Sequence, residues 1–137
     1  MRTQNLEKLE GVLEIIVSEA IKKSGEYFQD SVHDTIEFQK GNWKPLKIST
    51  VQRKGHDKIL MDSKHLIESL DTKIDNDGVK VGVFGRRAFV GMIHEFGSPL
   101  QNIPERSFLR STFKTEKDNI ENIVINTVRQ SIRRFTK

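Results

Sequence analysis

The sequence of 137 residues contains no cysteine. Disulfide bonds, thiolate metal sites and thiol nucleophiles are therefore excluded, and nothing points to an oxidising compartment. Long hydrophobic runs are also missing. The longest cover three residues, as in Ile15-Ile16-Val17, whereas a helix that crosses a bilayer needs about 20. The first residues do not combine a basic stretch with an apolar one, so no secretory signal is predicted and we expect a cytoplasmic protein without a membrane partner.

Apolar residues are few and charged residues are many. Hydrophobic residues make up 35% of the chain and charged residues 31%, which lies on the polar side of the globular average. The length fits one domain. We expect residues 1–137 to form it, with a helical N-terminal segment 1–40, an α+β core 41–110 and a C-terminal helix 111–137. A lean core in a chain of this size favours burial between subunits.

The charges are unevenly distributed along the chain. Residues 1–40 hold five Lys or Arg and eight Asp or Glu, whereas residues 98–137 hold eight and four. Clustered Lys and Arg can bind nucleic acid, because they contact phosphates. Opposite charges at the two ends also favour packing of one copy's front against another copy's back. The net charge of only +4 favours solvated or subunit surfaces over DNA binding.

Two long amphipathic helices are predicted at the ends of the chain. In the first, apolar residues recur every three or four positions: Leu6, Leu9, Leu13, Ile16, Ala20. This spacing is typical of a helix of about 20 residues, which Gly25 interrupts or bends before the chain continues towards Gly41. In the last helix, predicted to be capped at Thr112 or Thr115, the stripe is Ile120, Ile123, Val124, Val128, Ile132, Phe135.

A β-hairpin is predicted between the two helices. Apolar and polar residues alternate over 72–75 and 79–84, and Asn76-Asp77-Gly78 suits a tight turn. The whole pattern indicates an α+β fold, a small antiparallel sheet packed against long N-terminal and C-terminal helices.

Shorter elements flank the hairpin. The sequence indicates a turn at 43–46, a short helix capped by Ser49 or Thr50 that ends near Gly55, and a brief helix after Asp62 or Ser63 that carries residues 66–70. A helix over 88–96 should end at Gly97, and Ser98 to Pro104 should form a loop.

Motifs for catalysis are weak. His94-Glu95 invites a zinc-protease interpretation, but the second ligand would have to be residue 98, which is serine. The histidines lack a metal-binding spacing, so no metal site is predicted. Ser111-x-x-Lys114 has no second element of a hydrolase. We therefore expect no catalytic residues, with a hydrolase based on Ser111 or His94 as a remote alternative.

Gly82-Val83-Phe84-Gly85 resembles a phosphate-clamping Gly-x-x-Gly loop, and Arg86-Arg87 follows at once. These glycines close a predicted strand, whereas the clamp joins two helices. An ordinary turn is therefore favoured over a phosphate site.

Several short motifs occur in a defined order along the middle of the chain. They are Phe38 with Gly41-x-Trp43-x-Pro45-Leu46; Lys58-x-Leu60-x-Asp62-Ser63-x-x-Leu66-x-x-Ser69-Leu70; Val81-Gly82; Ile93-His94-Glu95-Phe96-Gly97; and Ile103-Pro104-x-Arg106-x-Phe108-Leu109. In this order and spacing they resemble the bacteriophage virion morphogenesis family, the tail-completion or head–tail joining proteins of tailed phages. The resemblance covers about residues 36–110 and leaves out the acidic first helix. Ser63 and Lys64 stand where that family has Thr and Gly.

The resemblance implies a structural protein without enzymatic activity, cofactor or metal. Such a protein assembles in the bacterial host cytoplasm as a homo-oligomeric ring at the neck or tail end of the virion, around the DNA channel. The implied partners are further copies of the chain, head–tail connector or tail-tube proteins and, non-specifically, double-stranded DNA. The main alternative is a small DNA-binding protein that uses the basic region 86–134.

The resemblance also implies structural roles for the motif residues. These residues are Trp43, Pro45, Leu46, Gly82, His94, Glu95, Phe96, Gly97, Pro104, Phe108 and Leu109. Trp43 and Leu46 would anchor a turn on the core, His94 and Glu95 would end a helix, and the pair Phe108-Leu109 would seat the start of the last helix. The loop 98–104 is the candidate contact with a neighbouring subunit. The candidates for contact with DNA or an acidic partner are Arg86, Arg87, Arg106 and Arg110.

Overall fold

Within the described residues the fold consists of five α-helices, two short 3-10 helices and one hairpin. A computed structural model of the chain describes residues 2–61, 65–75 and 78–136. In chain order the elements are α1 (Arg2–Glu37), α2 (Ile48–Lys54), α3 (His65–Glu68), β1 (Leu70–Asp75), β2 (Gly78–Val83), α4 (Ala88–Phe96) and α5 (Leu109–Phe135). The expected α+β fold, with a small antiparallel sheet and long terminal helices, is confirmed. The predicted caps Asp62 and Ser63 and the predicted turn residues Asn76 and Asp77 lie outside the described residues.

The two long helices run antiparallel along each other. α1 has 36 residues and is about 54 Å long, while α5 has 27 residues and is about 40 Å long. Three polar contacts mark their alignment. The hydroxyl oxygens of Thr112 and Thr35 lie 2.8 Å apart, Tyr27 donates to Glu116 at 2.6 Å, and Ser131 donates to Glu19 at 3.0 Å.

The alignment leaves the beginning of α1 without a helical neighbour among the residues that the structure describes. Ser131 lies opposite Glu19, and α5 ends a few residues later. Roughly the first 12 residues of α1 therefore extend about 18 Å beyond the end of α5. Of the predicted apolar stripe, Ile16 and Ala20 are buried, whereas Leu6, Leu9 and Leu13 are 49–59% exposed. We call these three residues the leucine stripe.

The predicted break of α1 at Gly25 is wrong, because the helix is continuous there. Gly25 is buried where α1 crosses the hairpin, and an added Cβ would lie 2.5 Å from Cγ2 of Val79 and 3.0 Å from Cγ2 of Thr72. The glycine thus permits close approach of helix and sheet. Glycine is unfavourable inside a helix, and the packing that it permits offsets this cost. Its role is one of space, not of bending.

A first prediction follows from this contact. Gly25→Ala should lower the free energy of unfolding by about 1–2 kcal/mol, because the cost of overpacking exceeds the gain in helix propensity. Gly11→Ala in the same helix, where nothing lies within 4 Å of the added Cβ, should raise it by up to about 1 kcal/mol. Urea denaturation of both variants measures the difference. An equal stabilisation by both would contradict the close packing of α1 on the hairpin.

The predicted hairpin is confirmed. β1 and β2 pair antiparallel, from Leu70 opposite Val83 to Asp75 opposite Gly78. The side chain of Gln29 in α1 joins the sheet to the helix, since its amide donates to the carbonyl of Leu70 at 3.2 Å and accepts from the hydroxyl of Thr72. The hairpin therefore lies against the middle of α1.

The apolar core lies at the end of α1 that is remote from the leucine stripe. Its buried members are Val32, Ile36, Ile59, Leu60, Met61, Leu66, Ile67, Leu70 and Phe108. The segment 59–61 has no regular structure but is held by Gln39, whose amide accepts from the N–H of Ile59 at 2.7 Å and donates to its carbonyl at 2.9 Å. The core thus combines the C-terminal part of α1 and the residue before α5 with α3, the start of β1 and the segment 59–61.

Several predicted helix ends differ from the structure. α2 begins at Ile48, and its N-terminal flank Lys47 makes no side-chain cap, so Ser49 and Thr50 do not cap it. Its predicted end is confirmed by Gly55, which has a left-handed φ of 79°. α3 ends at Glu68 because Leu70 already begins β1.

The start and the buried face of α5 also differ from the prediction. The helix begins at Leu109, so Thr112 and Thr115 lie inside it, where their hydroxyls donate to the carbonyls of residues 108 and 111. Thr127 and Ser131 are buried against α1, whereas Ile132 and Phe135 are 45% and 44% exposed. Thr127 and Ser131 are small, so the two helices can lie close together here. The hydroxyl of Ser131 donates to Glu19 of α1.

Candidate functional site

The carboxylate of Glu95 lies at the N-terminus of α5. Its side chain comes from the last turn of α4, and the residue is 3% exposed. The carboxylate oxygens accept hydrogen bonds from the backbone N–H groups of Phe108 at 2.8 Å, Leu109 at 2.9 Å and Arg110 at 2.9 Å. Such N–H groups have no partner within their own helix and carry partial positive charge. The cap of α5 is therefore supplied by another helix.

The surroundings of Glu95 favour its charged form. Burial alone would raise the pKa of this carboxyl group, but the backbone hydrogen bonds from Leu109 and Arg110, the Ser107 hydroxyl at 2.7 Å and the N–H of Phe108 outweigh it, so the pKa is lowered. The guanidinium of Arg110 adds an ion pair at 3.0 Å. Glu95 thus holds the end of α4 against the start of α5 as a carboxylate.

The segment 43–46 is bound to the same place. The indole Nε1 of Trp43 donates to the carbonyl of Ser107 at 2.8 Å. The guanidinium Nε of Arg106 donates to the carbonyl of Lys44 at 3.1 Å, and Arg106 is 8% exposed. We call the unit formed by Trp43, Lys44, Glu95, Arg106 and Ser107 the motif junction. It joins three of the five sequence motifs by hydrogen bonds.

Gly97 and the loop after it lie next to the motif junction, and residues 103–105 approach Gly97 closely. α4 ends with the N–H of Gly97 bound to the carbonyl of Ile93 at 2.6 Å, as the sequence predicts. Its φ of 76° and ψ of 171° are open only to glycine. The loop 98–104 is closed by paired hydrogen bonds between Ser98 and Ile103, at 2.8 and 2.9 Å, and it displays Leu100 with 100% exposure.

The other motif residues lie around this junction. Phe108 is fully buried, Leu46 and Leu109 pack against the core, and Gly82 is buried in β2 opposite Asp71. The remaining four surround the end of α4 and the loop: His94 and Pro104 are half-buried, and Pro45 and Phe96 are exposed.

The four candidate arginines occupy different environments. Arg110 is paired with Glu95 and with Glu105 at 2.7 Å, and its guanidinium lies over the ring of Phe96, 4.4 Å from the centroid. Arg106 is buried and lines a pocket, not an exposed face. Arg86 is exposed, and Nη2 of Arg87 lies 2.7 Å from Nδ1 of His65. They do not form one continuous exposed basic surface.

An apolar surface that the sequence analysis did not single out lies on α4. Phe89, Met92 and Phe96 recur at helical spacing and are 52–61% exposed, and Leu100 lies nearby in sequence at the tip of the loop. We call these four residues the α4 face. The spacing of Phe89, Met92 and Phe96 in the sequence could have indicated this surface. Gly91 and Glu95 are buried on the inner side of the same helix, so these three residues lie on its outer side.

Among the described residues, the Ser111-x-x-Lys114 motif does not form a reactive centre. The hydroxyl of Ser111 donates to the carbonyl of Ser107 at 2.6 Å and is part of the first turn of α5. Among the described residues, no group of three or more His, Asp or Glu side chains is placed to hold a metal ion. Within 2–61, 65–75 and 78–136, no helix is both long and apolar enough to span a bilayer.

The motif residues of this small α+β protein join its helices, as the hydrogen bonds of Trp43, Glu95 and Arg106 show. The chain belongs to the phage virion morphogenesis family, whose sequence model matches residues 6–129. The match therefore includes most of α1, which the sequence resemblance left out. Over 109 residues the chain is 33% identical to MJ0331, an uncharacterized protein of Methanocaldococcus jannaschii, covering 72% of this chain and 80% of that protein. No solved structure matches the chain significantly.

Membership of this family points to a structural part in building the virion, not to enzymatic catalysis.

Proposed function

We propose that the protein completes the tail or joins head and tail in a tailed phage or prophage, as a closed ring of identical copies. Its partners in the virion are head–tail connector or tail-tube proteins, and the ring surrounds the DNA channel. The proposal of a ring rests on two exposed apolar surfaces at opposite ends of the molecule, the leucine stripe and the α4 face.

The amount of exposed surface supports burial between copies. The chain exposes 10008 Å², whereas a folded monomer of its mass exposes about 7,300 Å². The excess of about 2,700 Å² exceeds the roughly 1,600 Å² that two standard interfaces take from one protomer. A copy in a ring has two such interfaces, one with each neighbour.

The position of the two surfaces supports a head-to-tail contact. The leucine stripe lies beyond the C-terminal end of α5, because Glu19 is bonded to Ser131. The α4 face lies at the N-terminal end of α5, because Glu95 caps that end. The two surfaces are thus separated by about the 40 Å length of α5. A contact between different patches on two copies is heterologous, and it generates a ring when the rotation closes.

Charge distinguishes this contact from pairing of like surfaces. Glu7, Glu10 and Glu14 are exposed beside the leucine stripe, so two such stripes would bring like charges together. The α4 face is next to the exposed Arg86 and to Arg110. The carboxylates beside the leucine stripe of one copy can therefore meet Arg86 beside the α4 face of the next, and screening by salt should weaken the contact.

Two neighbouring substitutions test the contact. Leu13→Asp should weaken self-association at least about thirtyfold, the effect of losing one interface hot spot. Ile15→Asp places the same charge at a position that is 54% exposed but on the opposite side of the helix, and it should change association less than threefold. Sedimentation equilibrium over a concentration series measures both, and thermal melts check that each variant folds. A wild-type chain that stays monomeric at high concentration and binds neither purified heads nor tails would refute the proposal.

A further inference from the structure

A basic pocket lies between α2, α3, α4 and the segment before α5. Its volume is about 260 Å³, and the ionisable side chains that line it are Arg53, Lys54, His65, Arg87, His94 and Arg106. No carboxylate lines it among the residues that the structure describes. We call these six residues and the space between them the basic pocket.

Hydrogen bonds fix two of the guanidinium groups. Arg106 donates from Nε to the carbonyl of Lys44 at 3.1 Å and from Nη2 towards that of Pro45 at 3.5 Å. These bonds use two of its five N–H groups. Nη2 of Arg87 lies 2.7 Å from Nδ1 of His65, and since arginine only donates, Nδ1 of this imidazole accepts. Both guanidinium groups are therefore oriented before any ligand arrives.

His94 also lines the pocket, and its side chain carries a buried polar atom. In the described part of the chain, its Nδ1 is inaccessible to solvent and has no hydrogen-bond partner. Burial, and the charges of Arg106 and Lys54, lower the pKa of this imidazole. A buried polar atom without a partner is uncommon in folded proteins, and here it lies among cationic groups that only donate hydrogen bonds.

We propose that the basic pocket is a binding site for a single phosphate group. A phosphate carries up to two negative charges at neutral pH and several strong acceptor oxygens, which match the donors of Arg87 and Arg106. The site takes two of the four arginines considered for DNA contact and leaves out Arg86 and Arg110. The phosphate can come from the backbone of nucleic acid or be free in solution, and the proposal is independent of ring formation.

The binding experiment uses inorganic phosphate and the full chain at constant ionic strength. We expect saturable binding of one phosphate per chain by calorimetry, and a rise in the apparent pKa of His94 followed by NMR of its ring protons. The ionisable groups that line the pocket with His94 are Arg106, Lys54, Arg53, Arg87 and His65, of which Arg106 and Lys54 act on its charge. Acetate and chloride at the same ionic strength should neither saturate nor move this resonance. A response to acetate equal to that to phosphate would overturn the proposal.

Two adjacent arginines provide matched variants. Arg87→Gln should weaken phosphate binding at least about tenfold, because it removes a charge-assisted donor. Arg86→Gln removes the same charge from the same 3-10 turn, Gly85–Arg87, but Arg86 does not line the pocket, so the effect should stay below twofold. Arg87→Lys restores the charge and should recover part of the affinity. Equal effects of the two glutamine variants, with unchanged melting temperatures, would overturn the site.

A short DNA duplex distinguishes the source of the phosphate. Duplex binding at low salt that inorganic phosphate displaces, and that Arg87→Gln abolishes, assigns the pocket to the nucleic-acid backbone. Phosphate binding that the duplex does not displace assigns it to free phosphate. Absence of saturable binding by either probe at low salt overturns the proposal and leaves ring formation untouched.

Discussion

Replacing Glu95 by alanine is expected to lower the free energy of unfolding by about 3–5 kcal/mol. The variant loses the carboxylate that accepts from the N–H groups of Phe108, Leu109 and Arg110. These donors cannot be satisfied by the helix itself, and Phe108 is fully buried. Arg110 also loses a buried ion-pair partner. Chemical denaturation measures the loss, and a change below about 1 kcal/mol, the value of an ordinary exposed cap, would contradict this role of Glu95.

The dependence on pH isolates the charge of Glu95 from its shape. Its pKa is lowered in the folded protein, so its contribution is complete above the unfolded value of about 4.3 and is lost as the pH falls through the folded pKa. Glu95→Gln keeps the shape but cannot titrate. The stability difference between wild type and Glu95→Gln should therefore shrink as the pH falls below about 4. A difference that is constant from neutral to acid pH would show that the charge is not what stabilises the junction.

The second large effect is expected for Gly97→Ala, which should cost about 3 kcal/mol. The backbone at Gly97 has φ 76° and ψ 171°, a region that side chains avoid. An added Cβ would also lie 2.8 Å from the N of Glu105 and 3.1 Å from the carbonyl oxygen of Ile103. These are backbone atoms that the closed loop holds in place. The expected result is a large loss of stability together with displacement of the loop 98–104.

Gly55→Ala is the matched control for Gly97. Gly55 also has a positive φ, 79°, but nothing lies within 4 Å of its added Cβ, so only the conformational cost of about 1 kcal/mol is expected. Thermal melts of the two variants compare a site where a glycine-only backbone and a steric collision act together with a left-handed site that has no collision. Equal losses would contradict the larger cost expected at Gly97 from its backbone conformation and from the close approach of residues 103–105.

The fold was largely predictable where the local pattern is strong. The alternation over 72–75 and 79–84 predicts the hairpin, and the spacing of apolar residues predicts the two long helices. Gly25 was misjudged because a glycine that breaks a helix and a glycine that admits a neighbouring strand are identical in sequence. Only the 2.5 Å distance from its added Cβ to Val79 decides between them.

The candidate site was predictable as a set of residues but not as a set of bonds. The ordered motifs containing Trp43, Glu95 and Arg106 indicate the family and place these residues in structural roles. Nothing local shows that Glu95 caps α5, because the helix N-terminus lies 13 residues further along the chain. Thr112 and Thr115 have the residue type of a cap, and on type alone they were preferred. The loop 98–104 brings the carboxylate of Glu95 to the N-terminus of α5, and this path of the chain cannot be predicted from the local sequence.

The amino-acid sequence alone determined that the chain is α+β, where its hairpin lies, that α4 ends at Gly97 and to which family the chain is similar. Tertiary structure decided which apolar residues are covered. Leu6 and Leu13 repeat the spacing of Ile16, yet only Ile16 is buried, because α5 ends before it reaches them. Periodicity states which residues share one face of a helix, whereas burial depends on whether a neighbouring element extends far enough to cover that face.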